Sequence, residues 1–281
     1  MNLRVRWGLC ALSAVIFFVG KSHAEPLGAS ARQLPARSLK LTGYYRGEQG
    51  RDVTFNVAGS GACSTPAGGV NPQVPFTCDS QGKVPAEGSG QAAVARLTWQ
   101  PFDHAQYYLT LGTGKYSLHV ASLTTVTSLT GDRPGWIYGF GARANVFPET
   151  IASTAIALDA NVTWEKYWFN RSQPQPRPAL ANIKERLDLM KLQVAIEASR
   201  RFEFDGRWKV EPYGGLKWLR TQAWLKDLDS GDRFGGADDM VSPFLGVNLP
   251  WSDNESLWGE ASFVKGFEYA TGLAVKFGGS K

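Results

Sequence analysis

The chain is poor in the side chains that most often carry chemistry. Its 281 residues include only three cysteines, three histidines and three methionines. No histidine lies near the cysteines, so the ligand spacing of a zinc site is missing. The sequence therefore predicts no metal site, no cofactor and no catalytic residue set.

Long apolar runs are also missing after the first 24 residues. No later segment approaches the roughly 18 consecutive apolar residues of a membrane-spanning helix, which excludes a helical anchor there. The start of the chain is different: two arginines, the apolar stretch Leu9–Gly20 and the small residues Ser22 and Ala24 follow one another. This order is typical of a secretory signal peptide, predicted here as residues 1–24, with one mature domain over 25–281.

The excess of positive charge depends partly on the signal peptide. The whole chain has 30 Lys+Arg against 25 Asp+Glu. Removing Arg4, Arg6 and Lys21 leaves 27 against 25, a net charge of only +2. This balance gives no reason to expect a nucleic-acid partner.

Two cysteines remain in the mature chain. Cys63 and Cys78 lie 15 residues apart in a stretch rich in Gly and Pro. Since an exported chain sits in an oxidising compartment, they predict a disulfide that closes a surface loop. Zinc binding is the alternative, but further ligands are missing nearby.

Strict alternation of apolar and polar residues is the dominant pattern. It is clearest in residues 136–146, 156–164 and 190–201, and weaker segments of the same kind extend from residue 39 to residue 277. Period-two alternation predicts β-strands with two different faces. Counting the weaker segments gives ten candidate strands, with eight or twelve as the alternatives. In the segment 107–120 the phase changes at Gly112–Gly114, which we interpret as a β-bulge.

The connections between these segments differ in length. Brief turns alternate with four longer segments, predicted as extracellular loops: 47–89, 121–134, 170–188 and 227–239. Short turns on one side and long loops on the other are typical of outer-membrane barrels. Within the first loop, Val53, Phe55 and Val57 leave two alternatives open, a longer first strand or a separate surface hairpin.

Aromatic residues fall near the ends of the strands, among them Trp99, Tyr107, Trp136 and Trp164. Amphipathic rings prefer the boundary between headgroups and hydrocarbon. We therefore predict an all-β fold: an antiparallel up-and-down transmembrane β-barrel of about ten strands. A soluble periplasmic β-barrel binding protein is an alternative, because alternation alone does not say which face points outward.

The closing residues 270–277, ATGLAVKF, combine a glycine with alternating hydrophobic residues and a final aromatic, Phe277. In this the chain resembles the small bacterial outer-membrane β-barrel proteins of eight to ten strands, whose last strand is the signal for insertion. The resemblance implies the outer membrane of a Gram-negative bacterium. It also implies outer-membrane lipid, lipopolysaccharide and the outer-membrane assembly machinery as partners.

The polar face of the alternating segments carries charges of both signs. Since a ten-stranded barrel is narrow, long side chains from opposite walls can neutralise each other across the lumen. We expect Arg143, Lys191 and Arg201 to meet acidic partners among Asp159, Glu197 and Glu260. A selectivity-lining pore wall is the functional alternative to this structural plug.

The predicted role is a non-enzymatic, structural or surface-interaction barrel, with a small channel as its variant. The alternative is an outer-membrane hydrolase that uses His119. It would be a lipid A deacylase-like esterase with Ser117, or an omptin-like protease with the acidic pair Asp238–Asp239. No serine motif or further omptin motif accompanies these residues.

Overall fold

In a computed structural model, the chain forms one closed antiparallel sheet. The structure describes residues 26–27, 31, 34–62, 77–121, 126–147, 154–175, 181–204, 208–263 and 266–278. The predicted signal peptide and Cys63 lie outside these residues. Cys78 is described only by its backbone, opposite Gly61, so the disulfide stays a prediction.

Twelve strands are described, and most are long. Their bounds are β1 Ser38–Ala62, β2 Thr77–Phe102, β3 Ala105–Ala121, β4 Val126–Thr130, β5 Gly135–Phe147, β6 Ala155–Gln175, β7 Ala181–Ser199, β8 Phe202–Phe204, β9 Trp208–Asp227, β10 Arg233–Pro250, β11 Glu255–Phe263 and β12 Phe267–Gly278.

The sheet closes because the last strand pairs with the first. β12 and β1 run antiparallel from Ser38 opposite Gly278 to Gln49 opposite Phe267. β4 and β5 occupy one position, since both lie between β3 and β6, and the interruption contains Pro134, which has no N–H for the ladder. β8 pairs only with β9. The wall therefore has ten strand positions, which confirms the predicted fold.

The strands extend far beyond one end of the barrel. Ser38, where β1 begins, Gly278, where β12 ends, and the tight turns lie at the other end, which we call the lower end. There Phe102 pairs with Ala105 and His104 has a φ of 69°. β1 and β2 are 25 and 26 residues long, whereas about 9 to 11 residues cross a bilayer. The prediction of a loop over 47–89 is wrong for 47–62 and 77–89, which are strand.

The three other predicted loops are also mostly strand in the structure. β4 occupies part of 121–134, β6 and β7 extend into 170–188, and β9 and β10 extend into 227–239. These segments lack the apolar outward face that predicted the strands in the half of the barrel near the tight turns. Their backbone groups nevertheless pair with neighbouring strands, so the barrel wall continues past the membrane.

β3 shows why the alternation changes phase. Tyr107, Leu109 and Leu111 are exposed on the outer face, whereas Tyr116 and Leu118 are buried on the inner face. Pairing with β2 continues without a register shift through Gly112–Gly114, so the predicted bulge there is wrong. The backbone is regular, and the apolar face changes from outside to inside as the strand leaves the membrane.

β1 does contain a bulge. Its pairing with β2 shifts between Glu48 and Arg51, and Gly50 has a φ of 71°, in the left-handed region that favours glycine. Beyond the bulge, Val53 and Phe55 are buried on the inner face. They belong to a prolonged first strand and not to a separate hairpin.

The outer face of the lower half is an apolar belt. Leu192, Val194 and Ile196 of β7 are each more than a third exposed. Aromatic rings flank this belt: Trp99 and Trp208 near the tight turns, and Tyr45, Trp136 and Trp164 toward the other end. A soluble barrel would bury its apolar face, so this arrangement favours the membrane barrel over the soluble alternative. Within the described residues, no helix has the length and hydropathy to cross a membrane.

Candidate functional site

The lower half of the lumen contains the described residues of the N-terminal segment, Pro26, Leu27 and Ala31. The Leu27 N–H donates to both carboxylate oxygens of Glu260, at 3.2 and 3.1 Å. The Arg96 guanidinium donates to the carbonyl oxygens of Leu27 and Pro26. Because every partner is buried, these bonds satisfy backbone groups that water cannot reach.

Apolar contacts and a further hydrogen bond hold the same segment. The Leu27 side chain packs against Ala195, Tyr213 and Phe244. Nearer the tight turns, the Asn145 amide donates to the Ala31 carbonyl oxygen at 2.5 Å. A cavity beside Leu27 has a volume of only about 10 Å³, close to the minimum for one water molecule.

A lower layer of ion pairs lines the lumen around these residues, each pair joining two strands with one strand between them. Arg143 Nη2 lies 2.5 Å from Glu197 Oε2, with both side chains almost fully buried. Lys217 pairs with Glu260, the residue that also holds Leu27. Asp159 lies opposite Arg143 on the neighbouring strand and accepts a hydrogen bond from Tyr108 at 2.7 Å. Both charges of each pair are therefore compensated.

An upper layer of charges centres on Glu165. Its Oε1 lies 2.5 Å from Arg46 Nη2 and 2.9 Å from Lys191 Nζ, while its Oε2 accepts a hydrogen bond from Tyr167 at 2.7 Å. Lys191 also lies 3.1 Å from Glu48 Oε2. These residues come from β1, β6 and β7, so the network joins opposite walls of the barrel.

Tyrosine rings fill the space between the charges. The Tyr108 ring lies over Gly141, where an added Cβ would come within 2.3 Å of Cζ, and Tyr213 lies over Gly246 in the same way, at 2.2 Å. Glycine on one strand thus makes room for a ring from the next. Arg96 stacks on Tyr108, with its Cζ 4.6 Å from the ring centroid.

Above the ion pairs, the interior becomes apolar. The cluster contains Val53, Phe55, Ala86, Tyr116, Leu118, Leu129, Tyr167, Phe169, Leu187, Leu189 and Ala223. Tyr116 and Tyr167 stack with their centroids 4.9 Å apart. Among the described residues, the interior thus has three successive fillings: the N-terminal segment, two layers of charge and an apolar core.

The charged residues predicted from the sequence lie on the inner face, as the alternation indicated, but some of their partners differ from the predicted ones. Arg143 meets Glu197, one of its expected partners. Lys191 instead meets Glu48 and Glu165, and Arg201 meets Glu211 at 3.1 Å near the tight turns. The expected pairing of Lys191 and Arg201 with Asp159, Glu197 or Glu260 is therefore wrong, because strand stagger sets which rows of opposite walls meet.

Glu165 is the central residue that sequence reasoning missed. The recognised alternation ends at residue 164, although Asp159, Asn161 and Thr163 already mark the inner face. Continuing the same period by one step reaches Glu165. The N-terminal segment carries no alternation, so its place in the lumen had no signal.

The residues of the hydrolase alternative do not lie in the lumen. His119 is exposed on the outer face of β3, with Nδ1 2.8 Å from Ser128 Oγ. The Ser117 hydroxyl donates to the Ser89 carbonyl oxygen at 3.2 Å and not to His119, as the esterase alternative would require. Asp239 lies 3.8 Å from Arg220 on β9, and its strand does not neighbour β3. The described residues contain no group of three or more acidic, His or Cys side chains that could hold a metal ion.

An apolar outer belt, flanking aromatic rings and an ion-paired interior define a transmembrane β-barrel, the class of integral protein found in the outer membrane of Gram-negative bacteria. No protein-family model and no curated protein matches the chain.

Solved structures with a similar course of the chain are themselves barrels of this membrane. The translocator domain of autotransporter NalP from Neisseria meningitidis has a TM-score of 0.44 at 10% identity, covering 98% of this chain and 96% of that one. The outer membrane protein OprG from Pseudomonas aeruginosa has 0.43 at 9%, covering 89% and 99%. The outer membrane protease OmpT from Escherichia coli has 0.44 at 9%, covering 88% and 100%. Because these TM-scores and identities are low, the similarities carry no argument about this chain. We assign the class of protein from the chain's own geometry.

Proposed function

We propose that this chain is a closed, non-enzymatic barrel that supports a rigid β-wall above the outer membrane for interaction at the cell surface. The observation that carries the proposal is the occupied lumen. Glu260 and Arg96 hold the backbone at Leu27, and the Glu165 network lies above it. A lumen filled in this way stabilises the barrel and leaves no open path for a solute.

The charges in the lumen support this structural role over a pore wall. A conducting lumen exposes its charged groups to water, whereas Arg143 and Lys191 are almost fully buried and paired with Glu197 and Glu165. Removing a buried ion from its partner costs several kcal/mol. Displacing these paired side chains to let a solute pass would therefore be energetically unfavourable.

Planar-bilayer recording tests the closed lumen directly. We expect purified mature protein to give no single-channel steps, and deletion of residues 26–36 to increase solute access to the lower half only. An Ala31→Cys variant, tested with a thiol reagent, should react slowly when folded and quickly after unfolding. Regular conductance steps from the unmodified protein would contradict the proposal.

The surface role is tested separately on intact cells. Cells that produce the full chain are compared with cells that produce a variant lacking residues 59–88, for aggregation and for attachment to polystyrene. We expect loss of attachment in the deletion while heat-modifiable gel migration shows that the barrel still folds. Equal attachment of both strains would remove this hairpin from the proposed role.

One observation favours a second candidate, a surface hydrolase. Ser128, His119 and Glu87 lie side by side on β4, β3 and β2, because His119 is directly opposite both other residues. A serine, a histidine and a carboxylate in a row are the components of nucleophilic ester hydrolysis. Their site would lie on the outer wall, outside the lumen.

A matched set of variants tests this candidate. Hydrolysis of p-nitrophenyl butyrate by the purified protein should be lost in Ser128→Ala and in His119→Ala, and should persist in Ser117→Ala, whose hydroxyl bonds elsewhere. Absence of hydrolysis by the unmodified protein on ester and peptide substrates would end this alternative.

A further inference from the structure

Three cations lie side by side on the outer wall above the apolar belt. Lys226 of β9 is directly opposite Arg186 of β7 on one side and Arg233 of β10 on the other. Directly opposed residues have Cβ atoms about 4.5 to 5.5 Å apart, so the three charges start from backbone positions within about 10 Å of each other. We call Arg186, Lys226 and Arg233 the cationic row.

Such a row is unfavourable by itself. Like charges directly opposite each other destabilise a sheet. Asp188 compensates Arg186, with Oδ2 2.7 Å from Nη2. Arg233 instead lies over the Trp224 ring, with its Cζ 5.2 Å from the centroid. The row therefore contains more positive charge than its ion pair neutralises.

The acidic residues nearest in sequence are otherwise engaged. Asp227 and Asp232 belong to the β9–β10 turn, where a carboxylate oxygen of each lies 2.9 Å from Ser230 Oγ, so the two share the one hydroxyl donor. Asp227 also accepts from the backbone N–H of Asp229 at 2.8 Å, and these bonds lower the pKa of the Asp227 carboxyl. They stabilise the turn, so an anion from outside the chain is the natural complement of the row.

The height of the row indicates which anion that is. Met190 is opposite Trp164 at the upper aromatic boundary, and Arg186 is four residues further along β7. At about 3.3 Å per residue this is about 13 Å along the strand, the depth of the headgroups above the hydrocarbon. In the outer leaflet these headgroups are the phosphorylated sugars of lipopolysaccharide.

The residues around the row suit a phosphorylated sugar. Arg binds phosphate through two parallel N–H donors and Lys binds it as a point charge. Trp168 is opposite Arg186, and Trp224 is opposite Asp188. Both indoles have an apolar face and a polar edge, as is typical of side chains at this interface.

The opposite wall at a similar height has a different composition. Its outward residues include Gln49, Gln91 and Ser117, and Lys115 is the cation among them. The cationic row is therefore a feature of one side of the barrel wall and not part of an evenly basic ring around it. The difference also supplies a matched control, since Lys115 is an exposed cation on the outer wall at a similar height.

We propose that the cationic row and Lys166 just below it bind the phosphate groups of outer-leaflet lipopolysaccharide. Lys166 is opposite Asp188 on the neighbouring strand, so it adds a fourth cation at the edge of the patch. This inference rests on the outer-membrane placement of the proposed function and goes beyond it by assigning a site on the barrel to lipopolysaccharide, a partner that the family resemblance implied. Binding here would anchor one side of the wall that extends above the membrane.

The test uses purified, detergent-solubilised mature protein and two probes, lipopolysaccharide and the same material dephosphorylated. Native mass spectrometry counts bound molecules, and a fluorescence titration measures affinity. We expect Lys226→Glu/Arg233→Glu to weaken binding of phosphorylated lipopolysaccharide about tenfold or more, from the loss of charge-assisted bonds. Lys115→Glu should leave binding within about twofold, because a screened charge on the other wall contributes little.

Three results would overturn the inference. They are unchanged affinity of Lys226→Glu/Arg233→Glu, equal binding of dephosphorylated material, and tighter binding of the soluble polyanion polyphosphate than of lipopolysaccharide. Heat-modifiable migration controls for folding of each variant. Protein that inserts into vesicles without binding lipopolysaccharide contradicts this inference alone, whereas protein that fails to insert contradicts the proposed function as well.

Discussion

The two halves of this barrel use the same backbone with opposite chemistry. In the lower half, apolar side chains such as Val194 point outward and ions such as Arg143 and Glu197 point inward. In the upper half, Leu187 and Phe169 point inward and the cationic row points outward. The change occurs within single strands, without a change of register in β3.

The difference shows that the surrounding medium, lipid or water, decides whether the apolar face of a strand points outward or inward. The backbone of the sheet is the same in both halves. Hydrocarbon accepts the apolar face and forces polar groups into the lumen, where they must find partners. Water reverses this choice, so the upper half buries its apolar face as a soluble protein does. Substitutions that move a residue from one regime to the other test the comparison.

The largest effect is expected from Glu165, the centre of the upper layer of charges. Glu165→Ala removes the carboxylate that joins Arg46 and Lys191, and breaking a buried ion pair by removing one partner costs about 3 to 5 kcal/mol. Loss of heat-modifiable migration and a lower midpoint in guanidinium chloride would show it. A control is Asp229→Ala, which removes the exposed partner of Lys184 and should cost less than about 1 kcal/mol. Equal effects would contradict the comparison.

The next effect concerns the apolar core of the upper half. Leu187→Ala creates a cavity at a fully buried position and should cost about 2 to 5 kcal/mol. Since the ion-pair layers separate this core from the lower half, we expect faster proteolysis of the extended wall on intact cells while the lower barrel keeps its heat-modifiable migration. Simultaneous loss of both would mean that the two halves unfold as one unit.

A smaller effect is expected when the same substitution is made on the two outer faces. Val194→Arg places a charge on the lipid-facing belt and should destabilise by about 2 to 4 kcal/mol near the bilayer midplane. Gln91→Arg places it on the outer face above the belt and should change stability by less than about 0.5 kcal/mol. Chemical unfolding in lipid vesicles, followed by tryptophan fluorescence, measures both. Equal tolerance would place the belt outside hydrocarbon.

The smallest effect depends on pH. Burial, and then the nearby Asp227, raise the pKa of the Glu185 carboxyl in the upper half. A carboxyl whose pKa rises on folding contributes stability below its unfolded pKa and loses it as the pH rises through the folded value. Glu185→Gln should therefore stabilise the upper half at neutral pH by less than about 1 kcal/mol, since the group is partly exposed. Its advantage should vanish in acid, and limited proteolysis at the two pH values would show this.

The lower half was predicted well from the sequence because its outward side chains contact lipid and must be apolar. This requirement produces a clear period-two pattern in the sequence. Each strand there alternates an apolar residue with a polar one, as in Leu192, Gln193 and Val194, and the inner charges could be recognised by position. The upper half obeys the same period with the faces exchanged. In β3 this exchange resembled a bulge at Gly112–Gly114, since a change of solvent and a shift of register leave the same trace in a linear pattern.

The contents of the lumen were harder to predict. Lys191 meets Glu48 because the strands of opposite walls are staggered around the barrel, and it meets Glu165 on the neighbouring strand. That stagger is a property of closure and appears in no single strand. The N-terminal segment was missed for a related reason: Leu27 contacts Tyr213 and Phe244, far along the chain, and no local period marks such contacts.

Local alternation by itself therefore determined the β-class, the approximate strand count and the faces in the lower half, because side chains on a strand alternate whatever the strand packs against. Only the tertiary structure decided which charges pair, how far the wall extends above the membrane and what fills the lumen. These features depend on distances between residues of different strands, and such distances are set only once β12 has closed the ring against β1.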